Sequence, residues 1–170
     1  QHGHGKEIVK LFKRMEDDGL KPDEITFVNF LSACSRAGMI NEAREYFDSM
    51  SQTYGIVPTV EHYACMADVF GRAGILIEAE NFLRKMPKHP SPVAWLTLLS
   101  SCKSLGDVER ARYSAGRIFE IDPKHTGARM MLSNIFSLSG MWQPMSLKKL
   151  CDGEILVPSC YKFVGDNLKK

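Results

Sequence analysis

Hydrophobic residues recur along the chain at helical spacing, in stretches separated by glycine and proline. The first stretch places Ile8, Val9, Phe12 and Met15 in an amphipathic pattern. Later apolar stretches, such as residues 25–36 and 63–72, run up to a glycine, which readily takes the left-handed conformation that closes a helix. No segment alternates apolar and polar residues over a convincing length, so strands are not expected. The pattern predicts an all-α fold.

The pattern repeats with a period of 32 to 36 residues. Residues 36–43 (RAGMINEA) and 72–79 (RAGILIEA) share Arg, Ala, Gly, Glu and Ala at an offset of 36. Gly106 follows Gly74 at an offset of 32, and Gly140 follows Gly106 at 34. One hairpin of two helices cannot bury its own apolar face, whereas stacked hairpins bury it between neighbours. We therefore predict a right-handed α-solenoid of stacked helix-turn-helix repeats, each with a first and a second helix.

Glycines and prolines set the expected repeat boundaries. The predicted units are a partial repeat at 1–23, hairpins at 24–59, 60–91, 92–125 and 126–164, and a tail at 165–170. The first residues enter a helical pattern directly and resemble no signal or transit segment. We therefore expect the chain to begin inside a repeat, with any targeting segment upstream.

Composition and charge narrow the classes of function. The 170 residues are 44% hydrophobic and 25% charged, and 22 basic against 20 acidic residues give a net charge of +2. This balance excludes binding through a strongly basic tail, although a local basic stripe is still compatible with it. No apolar run approaches the roughly 18 residues of a membrane span, so no membrane partner is expected. Five widely spaced cysteines suit a reducing compartment better than a disulfide framework.

Three basic residues recur near the C-terminal ends of successive first helices: Arg36, Arg72 and Lys103. We call them the basic row. Stacking would align them along one edge of the solenoid, where they could contact successive phosphates of a nucleic acid. Alternatively, each cation stabilises the C-terminus of its own helix through the helix dipole, by about 0.3–1 kcal/mol. The two roles are compatible, and the sequence leaves both open.

Several segments resemble the plant pentatricopeptide repeat (PPR) family. Residues 21–27 (KPDEITF) with 31–38 (LSACSRAG) are similar to its long-type motif, and residues 60–66 (VEHYACM) with 71–74 (GRAG) to its short-type motif. The two E-type motifs that follow in PLS-class members resemble residues 95–102, 106–109, 120–123, 132–136 and 140–142. The resemblance covers nearly the whole chain, in the family's own order.

The resemblance implies a role in organellar RNA editing. PLS-class proteins with E motifs are targeted to the chloroplast or the mitochondrion and bind single-stranded RNA, and most of them direct the conversion of cytidine to uridine. Their repeats select the RNA. Their E-type motifs are thought to contact protein partners, and a zinc-dependent DYW-type deaminase, in the same chain or recruited, performs the reaction. We expect this chain to bind organellar RNA and to recruit a DYW-type deaminase or an editing accessory protein.

The chemistry of a zinc deaminase is not encoded in these residues. Such a site needs a His-x-Glu pair and a Cys-x-x-Cys pair to hold zinc and move the proton. None of the five histidines has a glutamate two residues on, and no cysteine has another three residues on. We therefore predict no enzyme activity, no catalytic or metal-binding residues and no cofactor. Residues 158–162 (PSCYK) lack the Gly and Trp of the family's Pro-Gly-x-Ser-Trp box, which favours a protein that ends after its E motifs.

Alignment with the family places base reading at the fifth and last residues of each motif. These positions are Asp23, Val28, Thr59, Ala64 and Ser91. Asp23 ends the partial first motif. Because the side chains of Val28 and Ala64 neither donate nor accept a hydrogen bond, these two repeats should add little sequence discrimination.

Two other interpretations remain open. Near-neutral charge and apolar base-facing positions also suit a scaffold that binds only protein, and the chain could be a fragment of a longer PPR–DYW deaminase. The apolar face of the partial first hairpin could also cause self-association.

Isolated cysteine, histidine and tryptophan residues are interpreted as packing. Cys34 and Cys102 are expected in the core, His62 at the surface or in a helix cap, and Trp95 and Trp142 between hairpins rather than against bases.

Overall fold

The computed structural model describes residues 2–86 and 91–140. Within these residues the chain forms eight α-helices and no strand. The helices are α1 (His2–Asp17), α2 (Glu24–Ala37), α3 (Ile40–Gln52), α4 (Val60–Arg72), α5 (Leu76–Arg84), α6 (Pro92–Leu105), α7 (Val108–Ile121) and α8 (Thr126–Leu138).

The helices pack in two rows. The first helices of the repeats, α2, α4, α6 and α8, form one row in which each packs against the next. The second helices α3, α5 and α7 form the other row, and each contacts the first helix before it and the one after it, while α1 packs on α2. This arrangement confirms the predicted all-α solenoid, because each hairpin covers the apolar face of its neighbour.

Glycines end two of the first helices as the sequence predicts. Gly38 after α2 and Gly106 after α6 both have φ of 71°, and each donates its backbone N–H to the carbonyl of Cys34 or Cys102 in the last turn. A left-handed residue at this point reverses the chain direction, so the second helix folds back against the first.

The core runs continuously through the first-helix row. Its most deeply buried large side chains include Phe27, Leu31, Met66, Phe70, Trp95, Leu98 and Leu99. Next to α1 the core is aromatic, with Phe12 in edge-to-face contact with Phe27, Phe30 and Tyr46 at centroid distances of 5.4, 4.9 and 4.8 Å. No described helix is both long and apolar enough to cross a membrane.

Small residues set the spacing between helices. Ala43, Ala79 and Ala111, one in each second helix, are fully buried. In the first-helix row, Gly71 of α4 faces Ser101 of α6, and a Cβ at Gly71 would lie 2.1 Å from Ser101 Oγ and 2.8 Å from its Cβ. The absence of a side chain at Gly71 is therefore a condition for the observed packing of α4 on α6.

Candidate nucleic-acid interface

Three of the predicted base-facing residues occupy the same structural position. Asp23, Thr59 and Ser91 are the N-cap residues of α2, α4 and α6. Since these three helices pack side by side, the caps lie at the same end of the first-helix row. The three residues thus have equivalent positions in successive repeats, and their contact with RNA bases stays a prediction.

The polar groups of these caps already have partners. The Asp23 carboxylate accepts hydrogen bonds from the Thr26 hydroxyl at 2.7 Å and from the Thr26 backbone N–H at 2.8 Å, and these bonds hold the pKa of Asp23 below its usual value. Ser91 Oγ accepts from the Val93 backbone N–H at 3.3 Å. Thr59 Oγ1 donates to the Glu61 carboxylate at 2.7 Å. Each side chain therefore stabilises the start of its helix, and its polar atom is already held by a hydrogen bond before any ligand binds.

His62 is part of the Thr59 cap and is fully buried. Its Nδ1 accepts from the Thr59 backbone N–H at 3.1 Å, and its Nε2 donates to the carbonyl oxygen of Glu24 at 2.9 Å. The expectation of a cap is confirmed, but that of a surface position is wrong. The acceptor of the second bond lies on α2, 38 residues away, where sequence spacing gives no sign of it.

The two fifth-position residues lie in the second turns of α2 and α4. Val28 and Ala64 are both partly buried. The carbonyl oxygen of Val28 is 3.8 Å from Cys65 Sγ, so this part of α2 is close to α4. Their side chains can offer a base only apolar contact.

The basic row lies at the opposite end of the same helices. Arg36, Arg72 and Lys103 are in the last turns of α2, α4 and α6, and all three are exposed. The structure therefore places these cations at equivalent positions on helices that pack side by side. These positions are equally compatible with the alternative role, in which each cation stabilises the C-terminus of its own helix.

A chain of polar contacts that the sequence analysis missed holds Arg72 in place. Arg72 Nε donates to Asp68 Oδ2 at 2.8 Å, and the same oxygen accepts from Ser35 Oγ of α2 at 2.6 Å. Ser35 is 4% exposed, so its hydrogen bond to Asp68 is shielded from solvent on the Ser35 side. The spacing of four residues between Asp68 and Arg72 on one helix is the sequence feature that predicts this ion pair. Among the described residues, Arg36 and Lys103 form no ion pair.

Cysteines and Trp95 have the packing roles expected for them. Cys34 and Cys102 have no exposed surface, and burial raises the pKa of each thiol to about 12. Trp95 is 1% exposed and packs edge-on against Tyr113 at 5.8 Å. Trp142 lies outside the described residues. Within residues 2–86 and 91–140 no group of three His, Cys, Asp or Glu residues is placed to hold a metal ion.

Comparison with protein families identifies motifs over most of the chain. The pentatricopeptide repeat domain matches residues 10–73, a further PPR repeat matches 61–90, and the E motif matches 105–150. These matches follow one another in the order that the sequence motifs predict.

Several curated proteins with similar sequences come from Arabidopsis thaliana. One pentatricopeptide repeat-containing protein is 43% identical over 157 residues, which are 91% of this chain and 20% of that protein. Another, whose name states that it is mitochondrial, is 40% identical over 145 residues, 85% of this chain and 24% of its own length. The chain thus spans about a fifth of the length of these relatives.

Among solved structures, the crystal structure of the pentatricopeptide repeat protein PPR10 from maize is similar to this fold. Its TM-score is 0.56 at 24% sequence identity, over 87% of this chain and 24% of that one. This likeness supports the solenoid architecture. With PPR repeats followed by an E motif, as is typical of the PLS class, the chain belongs to the family of plant pentatricopeptide repeat proteins.

Proposed function

We propose that the chain is a non-catalytic part of a plant organellar RNA-editing specificity factor. In this proposal it binds single-stranded RNA along its first-helix row and recruits or positions a DYW-type cytidine deaminase through its E-type hairpins. The observation that carries the proposal is the row of α2, α4 and α6, which continues from the PPR repeats toward the E motif with one exposed cation on each helix.

The basic row would contact RNA phosphates. Arg36 and Lys103 are the stronger candidates, because Arg72 already donates to Asp68. An arginine or lysine that meets a phosphate releases condensed counterions, so binding weakens as salt concentration rises. With three contacts at most, this chain would contribute a modest share of the affinity of a longer PPR protein.

The base-facing positions would contribute little discrimination between bases. Asp23, Thr59 and Ser91 present polar atoms at the helix starts, but those atoms are already engaged in caps. Val28 and Ala64 carry no polar side-chain atom. We therefore assign this chain a positioning role on the RNA, with most of the base selection elsewhere in the protein.

Partner binding would lie in the hairpins that begin at α6. We assign residues 92–125 and 126–164 to the first and second E-type motifs. A deaminase or an editing accessory protein bound there would be held at a fixed distance from RNA lying on the preceding repeats. The compartment would be the chloroplast or the mitochondrion, and both fit the proposal.

A protein-only scaffold is the second candidate function. It is favoured by the pairing of Arg72 with Asp68, by the apolar Val28 and Ala64, and by the net charge of +2. The alternative that the chain is a fragment of a longer PPR–DYW deaminase concerns the whole protein and leaves the role of these residues unchanged.

Single-strand RNA binding at several salt concentrations separates these two functions. The test variant is Arg36→Gln with Lys103→Gln, and the control, Lys13→Gln with Lys124→Gln, removes two exposed positive charges elsewhere. If the basic row contacts phosphates, the test variant should bind more weakly and lose about 0.7 of the logarithmic salt slope per contact. Equal binding by both variants would contradict RNA contact through this row.

A further inference from the structure

Glu80 of α5 is the one buried acidic residue in the part of the chain that the structure describes, with 7% of its surface exposed. It belongs to neither the basic row nor the base-facing set. Removing a carboxylate from water is unfavourable unless positively charged groups surround it. The partners of Glu80 therefore decide what this residue does.

Two arginines surround the carboxylate, one from its own helix and one from the next hairpin. Arg84, four residues further along α5, donates to Glu80 Oε1 at 2.7 Å. The Nε of Arg110, on α7, lies 3.5 Å from Glu80 Oε2. Arg110 also donates through Nη1 to Asp107 Oδ2 at 2.5 Å, and Asp107 is the N-cap residue of α7. Glu80 is thus linked through Arg110 to the start of α7.

Arg84 makes a second link between the same two helices. Its guanidinium carbon lies 4.6 Å from the centroid of the Tyr113 ring on α7, within the range of a cation–π interaction. The guanidinium is therefore held between a carboxylate of its own helix and an aromatic ring of the next hairpin. Both links from α5 to α7 involve Glu80, because it pairs with both arginines.

The α6–α7 hairpin rests on the preceding hairpin mainly through its first helix. α6 packs along α4 and α5, whereas the backbones of α5 and α7 hardly approach one another. A small rotation of the hairpin about the axis of α6 would therefore swing α7 and leave most of the packing of the first-helix row in place. The side-chain contacts from α5 to α7 oppose such a rotation.

The ion pair at the preceding junction is of a different kind. Arg44 of α3 pairs with Glu78 of α5, and the two side chains are 46% and 44% exposed. Water and salt screen a pair this exposed, so it constrains the helices weakly. The side chains of Glu80 and Arg110 are only 9% and 25% exposed. Their attraction is screened less, and it acts at the junction where the E-type hairpins begin.

We propose that Glu80 is a positioning residue that holds the α6–α7 hairpin at a fixed angle to the PPR repeats. Buried ionic groups in some proteins specify one arrangement more than they add stability, and we assign that role to Glu80. The consequence rests on the proposed function: a partner bound to the E-type hairpins is kept at a set distance from RNA on the first-helix row.

Distances between spin labels in the full chain measure this angle. Labels at Gln52 of α3 and Ile121 of α7 report on the second-helix row. A reference pair at Asn29 of α2 and Ser100 of α6 reports on the first-helix row, and all four residues are exposed. Incorporated p-acetylphenylalanine carries a ketone-reactive nitroxide, so the five cysteines stay unmodified. Double electron–electron resonance then gives the distance distribution of each pair.

Matched variants assign the angle to Glu80. Glu80→Gln removes the charge at nearly constant size, and we expect the distribution of the second-helix pair to become about twofold broader, with the reference pair unchanged. Arg110→Gln removes the same contact from the other helix and should broaden it equally, and the double variant should broaden it no further. Glu78→Gln makes the same change in charge at the exposed pair and should alter neither distribution.

Three results would overturn the proposal. The first is an unchanged distribution of the second-helix pair in both Glu80→Gln and Arg110→Gln. The second is equal broadening of both label pairs, which would indicate a general loosening of the chain. The third is equal broadening by Glu78→Gln, which would make any charge on α5 sufficient.

Capture of partners from plant organelle extract tests the proposed function separately. A positioning residue does not contact the partner, so Glu80→Gln should capture as much DYW-type deaminase as the unmodified chain does. Loss of capture with unchanged label distances would overturn the positioning role and place Glu80 in the binding site itself. If the unmodified chain captures no editing protein, the proposed function fails, and the label distances still decide whether Glu80 sets the angle.

Discussion

The Nε2 atom of His62 lies 2.9 Å from the carbonyl oxygen of Glu24, so the first turn of α4 is bonded to the first residue of α2. His62 also accepts the backbone N–H of Thr59, the residue that caps α4. One buried imidazole therefore sets both the start of a helix and its position against the preceding repeat. The contact thus links the starts of two successive first helices, whose N-cap residues are Asp23 and Thr59.

Replacing His62 should cost more stability than replacing a histidine that only caps a helix. His62→Ala removes two hydrogen bonds from a fully buried site and leaves a cavity, so we expect a loss of about 2–4 kcal/mol in the free energy of unfolding. The control is His125→Ala, because His125 caps α8 through one bond to the Ala128 backbone N–H at 3.2 Å. It should lose about 1 kcal/mol. Urea unfolding compares the two, and equal losses would contradict the inter-repeat role of His62.

A methyl group at Gly71 should disturb the contact between α4 and α6. Its Cβ would fall 2.8 Å from Ser101 Cβ, so Gly71→Ala is expected to destabilise the chain by about 1–3 kcal/mol through overpacking. Adding Ser101→Gly should recover part of this loss, because it removes both clashing atoms. Gly116→Ala is the control, since nothing lies within 4 Å of a Cβ there. It should be neutral or stabilise α7 by up to about 1 kcal/mol. Thermal unfolding that ranks the two glycine substitutions in the reverse order would contradict the packing described above.

Releasing Arg72 should strengthen contact with RNA if the basic row binds phosphates. Asp68→Asn removes the carboxylate that holds Arg72, so we expect roughly two- to fivefold tighter binding of single-stranded RNA at low salt. Asp17→Asn, at the exposed end of α1, makes the same change in net charge. Fluorescence anisotropy measures both variants. If the control gains as much affinity as Asp68→Asn, net charge and not Arg72 is responsible.

Stability should fall in alkaline solution as the buried thiols ionise on unfolding. Burial raises the pKa of Cys34 and Cys102 from 9.0 to about 12 in the folded chain. Above pH 9 the unfolded chain loses these protons while the folded chain keeps them, so the stabilising contribution present below pH 9 is lost as the pH rises toward 12. The slope is at most about 1.4 kcal/mol per pH unit for each thiol.

Urea unfolding between pH 8 and pH 9.5 measures this slope below the usual tyrosine pKa of about 10. Cys34→Ala with Cys102→Ala is the comparison, because it removes both thiols. The double variant should show a smaller decline with pH than the unmodified chain. Parallel declines would mean that the two thiols are not protected from ionisation in the folded chain.

The hydrophobic pattern predicts the architecture well because helix periodicity and repeat length are local properties of the chain. The glycines expected to end helices do so at Gly38 and Gly106, and the expected core cysteines Cys34 and Cys102 are buried. The helix bounds differ by a few residues. α4, for example, begins at Val60, where the apolar pattern began at residue 63, because the cap at Thr59 and not hydrophobicity sets its start.

The sequence does not predict which residues make the contacts between repeats. The sequence predicts a surface or cap position for His62 and does not reveal its second partner, a backbone carbonyl in the preceding repeat. It predicts an available Arg72, because the link from Ser35 to Asp68 crosses from α2 to α4. Such features depend on how the hairpins stack, and repeat periodicity does not determine them in detail.

The most direct test of the proposed function is capture of partners from plant organelle extract by the full chain, with and without ribonuclease, followed by mass spectrometry. The proposal predicts that a DYW-type deaminase or an editing accessory protein is recovered and remains after ribonuclease treatment, because the E-type hairpins bind it directly. Recovery of RNA alone, with no such protein after ribonuclease treatment, would contradict the recruiting role and leave only the RNA-binding one.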